Sequence, residues 1–571
     1  MIPATRARPA AAVEPEVAVP RLKVGLVLPA GRLPRWVLAA VEAIRSSDDA
    51  DIAVIVRSTS ASGRRAGRAP SPGTSGVATR VLLALYGLAD RRVFGRSPDP
   101  TEWVDPEAVL AGLPMREVAP SDTPESIATV LGDAALDVLV RFARPDLDAV
   151  AERIARFGVW SLRVSATGGQ DRLDVPWPMG LAEVLGGSVV TLATLHARSG
   201  RDRIDTIGWT VSATDRMSAL RGMRGHLAKA AQLAPRALRD LRRDGRLPDP
   251  APPGFASAGT GPRSALGLAG QLLRLGLGYL FRVIQRTVAV DRWIVALTPT
   301  IEGRALPDPT RTRLHYLEPP SGRSWADPFL VESEDGLLLF VEEWVNRERR
   351  GRIALVRLDD ALEPSEPETV LAVDGHLSYP QVFAWQGTWY LLPEQAARGG
   401  LQLYRAESFP TSWTHDRTLI ADPPLADATI AEIDGRWWLF AAAKAPGGTT
   451  ADELLVYSAD QPIGPWRPHR RNPVLSDVRS ARPAGRLIQR EGRWYRPCQD
   501  GSVDYGWAMS LSRIDQLDDE GYRETVVARL QPTWAKGVIA THTLSEAGGL
   551  TAIDLSVRWS RGSARRSPRT N

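Results

Sequence analysis

Residues able to carry out acid–base chemistry recur at one place in a repeated strand pattern in the second half of the chain. The first phrase, Ser-Trp-Ala-Asp-Pro-Phe-Leu, puts Asp327 at the start of an apolar strand. The corresponding later strands begin at Tyr379, Asp427, Arg482 and His542. Carboxylates and an imidazole move protons, and an arginine stabilises negative charge. A fold that gathers these side chains would therefore create an acid–base site.

The repeat that carries them is long. The separations are 53, 47, 56 and 59 residues between the markers Asp327, Pro380, Asp427, Pro483 and His542. Several short strands per repeat at a period near ~50 residues predict a β-propeller, here with five blades. A spare strand at Trp293–Leu297 precedes the first repeat. We expect it to pair into the last blade and close the ring.

Propeller geometry predicts where the polar residues meet. The first strand of each blade lines the central channel, so the five strand-start residues are expected at one mouth. Residues at the ends of second strands should join them there: Glu394, Glu343 with its neighbour Glu342, Gln499 and Asp500. Several carboxylates in one place are costly unless they pair or bind something. The structural alternative is a ring of ion pairs with Arg482 and Arg479.

The first half of the chain has a different pattern. Apolar strands lie at 23–28, 51–57, 135–140 and 158–162, with helix-like segments between them, and two more strands follow at 189–195 and 203–209. Strands that are apolar throughout, alternating with helices, predict a parallel sheet covered on both faces. The sequence therefore predicts an α/β domain followed by an all-β propeller.

Composition changes mark the predicted boundaries. They divide the chain into a flexible leader at 1–20, the α/β domain at 21–245, a linker and apolar helical segment at 246–290, the propeller at 291–559 and a basic tail at 560–571. Met217–Arg243 is helical and rich in arginine, which favours a solvated face. Residues 266–290 are apolar but interrupted by arginines, so we expect packing between the domains, with peripheral membrane attachment as the second interpretation.

The overall charge excludes one class of partner. The net charge is +5, and five arginines of the C-terminal region, from Arg558 to Arg569, match that excess. A near-neutral folded body does not suit nucleic-acid binding. Cys498 is the only cysteine, so no internal disulfide or cysteine cluster can form, and a reducing, cytoplasmic location fits. We expect no cofactor and no metal, since no ligand spacing supports a site at Asp327, Asp427 and His542.

A resemblance supports the α/β prediction. The Lys-Val-Gly-Leu-Val-Leu opening, the Leu-Asp-Val-Leu-Val-Arg strand, the Gly-Val-Trp-Ser strand and the Glu183-Val-Leu-Gly-Gly-Ser segment resemble the formyltransferase amino-terminal domain, which has a Rossmann-like fold. That family uses an Asn, a His and an Asp to transfer a formyl group from a folate donor. Ser161 to Ser165 stand where the Asn and His would be. The resemblance implies the fold without the proton carrier.

A second resemblance concerns the propeller. The Ala-Asp-Pro opening and the Asp-x-Thr phrase before Gly-x-Trp-Trp-Leu-Phe resemble five-bladed glycosidases of the arabinanase kind. That resemblance implies Asp327 as general base, Asp427 as the aspartate that tunes it and a glutamate as general acid. The family's Glu-Gly-Pro phrase is absent here. Glu394, in Leu-Pro-Glu, takes its place as the candidate acid.

A third resemblance covers nearly the whole propeller. His376-Leu-Ser-Tyr-Pro-Gln-Val-Phe, Tyr390-Leu-Leu-Pro-Glu and the run from Asn472 to Arg486 resemble the amino-terminal domain of glucosamine inositolphosphorylceramide transferases. The plant proteins carry a separate exostosin-like glycosyltransferase domain, which we do not expect within these 571 residues. The resemblance implies a glycan or glycolipid partner.

Three functional hypotheses follow. In the first, the chain is a carbohydrate-active enzyme of surface-polysaccharide or glycoconjugate metabolism, either glycosidase-like or associated with glycosyl transfer. Its catalytic residues would be Asp327, Glu394 and Asp427, and its substrate-binding residues Arg482, Gln499, Asp500, His542, Tyr379 and Glu343. In the second, the mouth is a non-catalytic glycan-binding module. In the third, the chain is a sugar formyltransferase with a degenerate site.

Overall fold

The computed structural model describes residues 19–58, 77–95, 98–118, 123–142, 147, 150–164, 179–199, 203–250, 264–301, 303, 306–334, 336–395 and 399–560. Residues 1–18 of the predicted leader, residues 251–263 of the predicted linker and residues 561–571 of the predicted tail lie outside these ranges.

A seven-stranded sheet forms the centre of the first domain. The strands of this domain are β1 Leu22–Leu28, β2 Leu33–Pro34, β3 Ala50–Ser58, β4 Trp103–Val104, β5 Met115–Val118, β6 Val138–Arg141, β7 Val159–Arg163, β8 Val190–Arg198 and β9 Ile204–Ala213. The sheet order is β5-β3-β1-β6-β7-β8-β9, while β2 and β4 pair separately. The five neighbouring strands β5, β3, β1, β6 and β7 are parallel, as predicted. Strand β8 is antiparallel to both β7 and β9, and the short β8–β9 connection cannot make the crossover that a parallel pair needs.

Helices lie on both faces of this sheet, and others pack outside them. The described helices are α1 Arg35–Arg45, α2 Val77–Phe94, α3 Glu107–Leu110, α4 Pro124–Gly132, α5 Ala151–Ile154, α6 Leu181–Leu185, α7 Ala219–Ala231, α8 Leu233–Asp244 and α9 Ala265–Val288. One apolar core includes Val24, Trp36 and Trp160 on the α1 side, and a second includes Val27 and Leu139 on the α4 side. None of the described helices combines the length and hydropathy needed to cross a membrane.

The second domain is a five-bladed propeller. Its strands are β10 Ala289–Pro299, β11 His315–Leu317, β12 Arg323–Ser333, β13 Gly336–Val345, β14 Arg350–Arg357, β15 Glu368–Leu371, β16 Ser378–Trp385, β17 Thr388–Glu394, β18 Leu401–Ser408, β19 Ser412–Ile420, β20 Ala426–Ile433, β21 Arg436–Lys444, β22 Ala451–Ala459, β23 Arg467–Pro468, β24 Ile488–Arg490, β25 Arg493–Asp500, β26 Ala508–Leu517, β27 Tyr522–Leu530, β28 Val538–Ala540, β29 Leu544–Ala547 and β30 Leu550–Ser560. The first four blades are β12–β15, β16–β19, β20–β23 and β24–β27.

The fifth blade closes the ring. Its strand order is β11-β10-β30-β28, with β29 also paired to β30. The pairing of β10 with β30 is antiparallel and runs from Ala289 opposite Ser560 to Pro299 opposite Leu550. The predicted pairing of the spare strand into the last blade is confirmed, over a longer stretch than Trp293–Leu297. The closure joins residues far apart in sequence and removes an open sheet edge.

The arginine-rich helices α7 and α8 form an interface between the domains and are not the solvated face predicted from sequence. The Lys229 ammonium donates to Asp452 Oδ2 at 2.8 Å, with both side chains buried. Arg236 makes a two-pronged ion pair with Glu453 at 2.7 and 2.8 Å. The backbone of β9 at Val211 also bridges to Asp477 of the propeller. Periodicity could not show this, because the partners lie more than two hundred residues away.

Helix α9 does not fill the space between the domains, which was the favoured interpretation of 266–290. It lies beside α2, where the rings of Phe94 and Tyr279 meet edge to face at 5.6 Å. Leu268 is its only buried residue. The rest of the helix is mostly exposed, so its apolar side chains contribute little to the core.

Candidate functional site

Backbone bulges at the inner strands bring the predicted acids together. Asp327, Tyr379 and Asp427 have φ values of +48°, +49° and +50°, each within a register shift between the first and second strands of its blade. A non-glycine residue in this left-handed region is uncommon and marks a local constraint. Each bulge turns a backbone N–H toward the preceding blade.

Carboxylates accept these N–H groups across the gaps between blades. Asp554 Oδ2 accepts from the Asp327 amide at 3.2 Å, and Asp327 Oδ2 accepts from the Tyr379 amide at 3.2 Å. Glu394 Oε2 accepts from the Asp427 amide at 3.1 Å. Asp327, Asp427 and Glu394, which were predicted from the repeat, therefore meet around one channel. Each accepting carboxylate links its own blade to the next blade by a hydrogen bond.

Asp427 is held as an anion. Its Oδ2 accepts from the Arg482 guanidinium and from Gln499 Nε2, the latter at 2.7 Å. Burial alone would raise the pKa of Asp427, but the Arg482 charge and the hydrogen bonds from Glu394 and Arg482 bring it below the usual range. The same ion pair raises the pKa of Arg482 despite its burial. The Asp427 carboxylate and the Arg482 guanidinium therefore form a buried ion pair in the mouth.

His542 sits between two aspartates. Its Nδ1 lies 2.7 Å from Asp554 Oδ2, and its Nε2 lies 3.5 Å from Asp327 Oδ1. Burial alone would lower the pKa of His542, but Asp554 and then Asp327 raise it to about 9. Burial raises the pKa of Asp327 to about 6, against the opposing effect of the His542 charge. The imidazole is therefore cationic at neutral pH, while Asp327 titrates just below it.

Two glutamates occupy equivalent places in neighbouring blades. Glu342 pairs across the strands with Ala326, and Glu394 pairs with Ser378; each partner immediately precedes a bulge residue. Burial, followed by the charges of nearby aspartates, raises the pKa of both glutamates well above the usual range. Their side chains are 14% and 16% exposed, against 6% for Asp327. The raised pKa values favour the protonated form of both glutamates, and a ligand in the mouth can reach their carboxyl groups.

Aromatic rings surround these groups. Tyr505 is 62% exposed and lies under the Arg482 guanidinium at 5.2 Å. The ring of Trp293 lies 4.4 Å from His542, and Trp344 meets His376 at 5.8 Å beside Glu342. An exposed ring beside polar groups is a surface on which a sugar ring can stack.

Two predicted residues lie away from the mouth. Glu343 is fully buried and binds Arg323 at 3.0 Å and Arg352 at 2.7 Å. Asp500 is buried and binds Arg529 at 2.7 Å. Their neighbours Glu342 and Gln499 face the channel in their place, because successive side chains on a strand point to opposite faces.

Tyr379 reaches the channel but is fully buried. Its hydroxyl bonds Thr429 Oγ1 at 2.7 Å and accepts from the Gly485 amide at 2.6 Å. These contacts link blades two, three and four. Its predicted substrate-binding role is therefore replaced by a structural one.

The structure adds Asp554, Glu342 and Tyr505 to the predicted set. Asp554 ends the phrase Leu550-Thr-Ala-Ile-Asp, which lies outside the repeated strand starts and therefore carries no signal from the repeat. Glu342 could have been chosen over Glu343 by aligning it with Glu394 in the repeat. Tyr505 lies in the loop between β25 and β26, outside the repeated phrases of the sequence.

One group of possible metal ligands lies in the described part of the chain, although the sequence predicted no metal site. The donor atoms of Asp327, His542 and Asp554 lie within 4.8 Å of one another. Asp554 Oδ1 already accepts from the His542 and Thr543 amides at 2.8 and 3.0 Å, and Asp327 Oδ1 accepts from Thr543 at 2.7 Å. We interpret this triad as a hydrogen-bonded ion-pair network.

The fold and the site define a five-bladed propeller with an acid-lined mouth, and part of this propeller is similar to known proteins. The family model of the glucosamine inositolphosphorylceramide transferase 1 N-terminal domain matches residues 318–544. The rice (Oryza sativa subsp. japonica) protein named glucosamine inositolphosphorylceramide transferase 1 is 39% identical over 206 residues, which is 35% of this chain and 28% of that protein. The Arabidopsis thaliana protein of that name is 35% identical over 206 residues, 35% of this chain and 27% of that protein. The chain thus spans less than a third of the length of these relatives.

Solved structures of glycoside hydrolases are also similar. A family 117 glycoside hydrolase from Zobellia galactanivorans has a TM-score of 0.31 at 14% identity, covering 46% of this chain and 90% of its own. The GH43_1 enzyme from Xanthomonas citri complexed with xylose has a TM-score of 0.32 at 15% identity, covering 43% and 90% respectively.

Proposed function

We propose that this chain acts on a glycan or a glycolipid headgroup at the propeller mouth, by acid–base chemistry at a glycosidic carbon. The observation that carries the proposal is the mixed ionisation of neighbouring carboxyl groups. Glu394 has a raised pKa and a partly exposed side chain, while Asp427 is held ionised by Arg482. Groups pushed toward opposite protonation states in one site are suited to acid and base roles.

The roles follow from these protonation states. Glu394, neutral, donates its proton to the oxygen of the departing group as the glycosidic C–O bond breaks. Asp327, ionised above pH of about 6, accepts the proton of the attacking hydroxyl as the new C–O bond forms. That hydroxyl belongs to water in hydrolysis and to an acceptor in transfer. Asp427 and Arg482 set the local charge, and Glu342 is a second candidate acid.

The test uses the full chain and a panel of aryl glycosides and glycolipids. Turnover is expected to fall by on the order of a hundredfold or more in Asp327→Asn and Glu394→Gln, since general acid–base catalysis contributes that much. Glu348→Gln, at an exposed ion pair with Arg350, is the matched control and should leave turnover unchanged. Equal turnover in the wild-type protein and in Glu394→Gln would contradict the assigned acid.

The non-catalytic binding module is favoured by a different observation. Both oxygens of Asp327 already accept hydrogen bonds, from Thr543 and from the Tyr379 amide. A carboxylate engaged in this way suits a structural ring. Glycan-array binding that Asp327→Asn retains, with no turnover of any bound sugar by the wild-type protein, would establish this function in place of the enzymatic one.

We further propose that the α/β domain is of the formyltransferase type without its catalytic pair. The proposal is supported by the doubly wound order β5-β3-β1-β6-β7 and by Ser161 and Leu162 on β7, where the Asn and His are expected. Without an imidazole there, no proton carrier serves an attacking amine. The full chain, incubated with a formyl-folate donor and amino sugars, should transfer no formyl group. Formyl transfer above background would favour the residual formyltransferase.

A further inference from the structure

Helices α2 and α9 each expose an apolar stripe. On α9 the stripe includes Leu273, Leu277, Phe281 and Ile284, whose spacing of three and four residues keeps them on one face. Leu277 and Phe281 are 57% and 64% exposed. On α2 it includes Val81, Leu85 and Leu88, at the same spacing. Contiguous apolar surface of this kind marks a contact with a partner or a membrane.

The two stripes belong to one surface. The opposite sides of the helices bury Leu83 of α2 and Leu268 of α9 in a single cluster with Leu181 and Ala219. The helices therefore face the domain with one side and solvent with the other.

The exposed charges of this surface are all positive. By helical spacing, Arg274 of α9 lies beside Leu277 and Phe281, and Arg92 of α2 lies one turn beyond Leu88; α9 contains no acid. The single acid of the pair, Asp90, is buried and accepts from the Ser218 hydroxyl at 2.5 Å and the Leu220 amide at 3.0 Å. Apolar side chains flanked by arginines, without exposed acids, complement an anionic lipid surface.

The C-terminal end of α9 is connected directly to the propeller mouth. Helix α9 ends at Val288, and β10 begins at Ala289. Trp293, whose ring contacts His542 in the site, follows five residues after Val288, a distance of at most ~18 Å. A bilayer that held α9 would therefore keep the mouth on a short tether to the lipid headgroups.

We propose that the α2–α9 surface docks the chain on an anionic lipid bilayer. The two helices then lie in the plane of the lipid headgroups. Together with the proposed glycan chemistry, on which this extension rests, docking assigns a lipid-linked glycan as the substrate class. The apolar stripes are buried at the boundary between the headgroups and the acyl chains, and the arginines bind phosphate and carboxylate groups of the lipids.

The test is sedimentation of the full chain with vesicles of phosphatidylcholine alone or mixed with phosphatidylserine. The wild-type protein should sediment with the mixed vesicles and not with phosphatidylcholine alone. Leu277→Glu with Phe281→Glu should reduce the bound fraction at least tenfold. Val526→Glu with Val527→Glu adds the same charge at exposed apolar residues of β27 and is the matched control, expected to bind like the wild type.

The charge contribution is tested separately. Arg92→Gln and Arg274→Gln should each weaken binding about fivefold, since an arginine near an anionic leaflet contributes about that factor. Failure of the wild-type protein to bind the mixed vesicles would overturn the proposal. So would a lipid-free dimer that Leu277→Glu with Phe281→Glu dissociates, since a second copy would then cover the surface. Vesicle binding needs no sugar, so its loss is distinguishable from a failure of the glycan chemistry.

Discussion

The raised pKa of His542 depends on aspartates from three different blades. Asp554 lies on β30 of the fifth blade and Asp327 on β12 of the first, and Asp427 of the third adds to their effect. The cationic imidazole therefore connects the closing blade to the first blade as well as polarising the mouth.

This pairing predicts how stability depends on pH. The pKa of His542 rises from 6.5 to about 9 on folding, so the folded state binds the proton more tightly. The stabilisation is complete below pH of about 6.5 and is lost as pH rises through about 9, by on the order of 3 kcal/mol. Denaturant titrations from pH 6 to 10 should show this fall, and His542→Gln should flatten it. A wild-type stability that rises across this interval would contradict the assignment.

Arg482 supports a second residue-scale prediction. Arg482→Met leaves the buried Asp427 carboxylate without its cation, and removing one partner of a buried pair costs roughly 3–5 kcal/mol. Chemical denaturation would measure the loss. Arg350→Met, which breaks the exposed pair with Glu348, should change stability by less than ~1 kcal/mol. Equal effects of the two substitutions would show that Asp427 does not depend on Arg482.

At the scale of elements, the bulged inner strands explain how acids can line a channel built from apolar sheets. The positive φ at Asp327, Tyr379 and Asp427 directs each amide toward the neighbouring blade. The fourth blade has Gly485 nearby with φ of +126°, where a Cβ would lie 1.8 Å from the Leu544 carbonyl oxygen. Only glycine fits this approach of two backbones.

The inner ring is tested through Tyr379. Tyr379→Phe removes the acceptor of the Gly485 amide, and an unsatisfied buried donor costs about 1–3 kcal/mol. Tyr390→Phe is the matched control, because the Tyr390 hydroxyl makes no hydrogen bond within the described residues, and it should be nearly neutral. Thermal unfolding of both variants provides the comparison, and an unchanged Tm in Tyr379→Phe would show that this hydroxyl does not stabilise the ring.

At the scale of the whole molecule, one segment joins the domain interface to the mouth. Ser476 bonds Thr210 of the α/β domain at 2.7 Å, and Arg239 donates to the Asn472 carbonyl at 2.7 Å. A few residues later in the same segment, Arg482 pairs with Asp427. The run from Asn472 to Arg486 is the longest motif of the third family resemblance, and its position gives each end a structural role.

The interface predicts cooperative unfolding of the two domains. The Lys229–Asp452 pair is buried, so Asp452→Ala leaves an uncompensated ammonium and should cost roughly 3–5 kcal/mol. Calorimetry is expected to give one transition for the wild-type protein and two for Asp452→Ala. Lys229→Met with Asp452→Leu should recover much of the loss, because the buried charges are replaced by apolar groups. Two transitions in the wild-type protein would contradict the cooperative interface.

Much of this protein could be predicted from the sequence because the relevant signals are local and repeated. The period of the propeller, its closing strand and the mouth positions of Asp327, Asp427 and Arg482 follow from recurring phrases, since equivalent strand ends in a ring of blades must converge. The sheet of the first domain could be predicted because its apolar strands alternate with helices along the sequence.

Only the tertiary structure decided between neighbours on a strand and between surfaces of a helix. Glu342 faces the channel and Glu343 an arginine pair, and the bulge before Phe329 sets that alternation. The α7–α8 helices bind the propeller and α9 does not, although all three carry arginines among apolar residues. The basic residues of α7 and α8 pair with Asp452 and Glu453 of the propeller, which are distant in sequence and come close only in the folded protein.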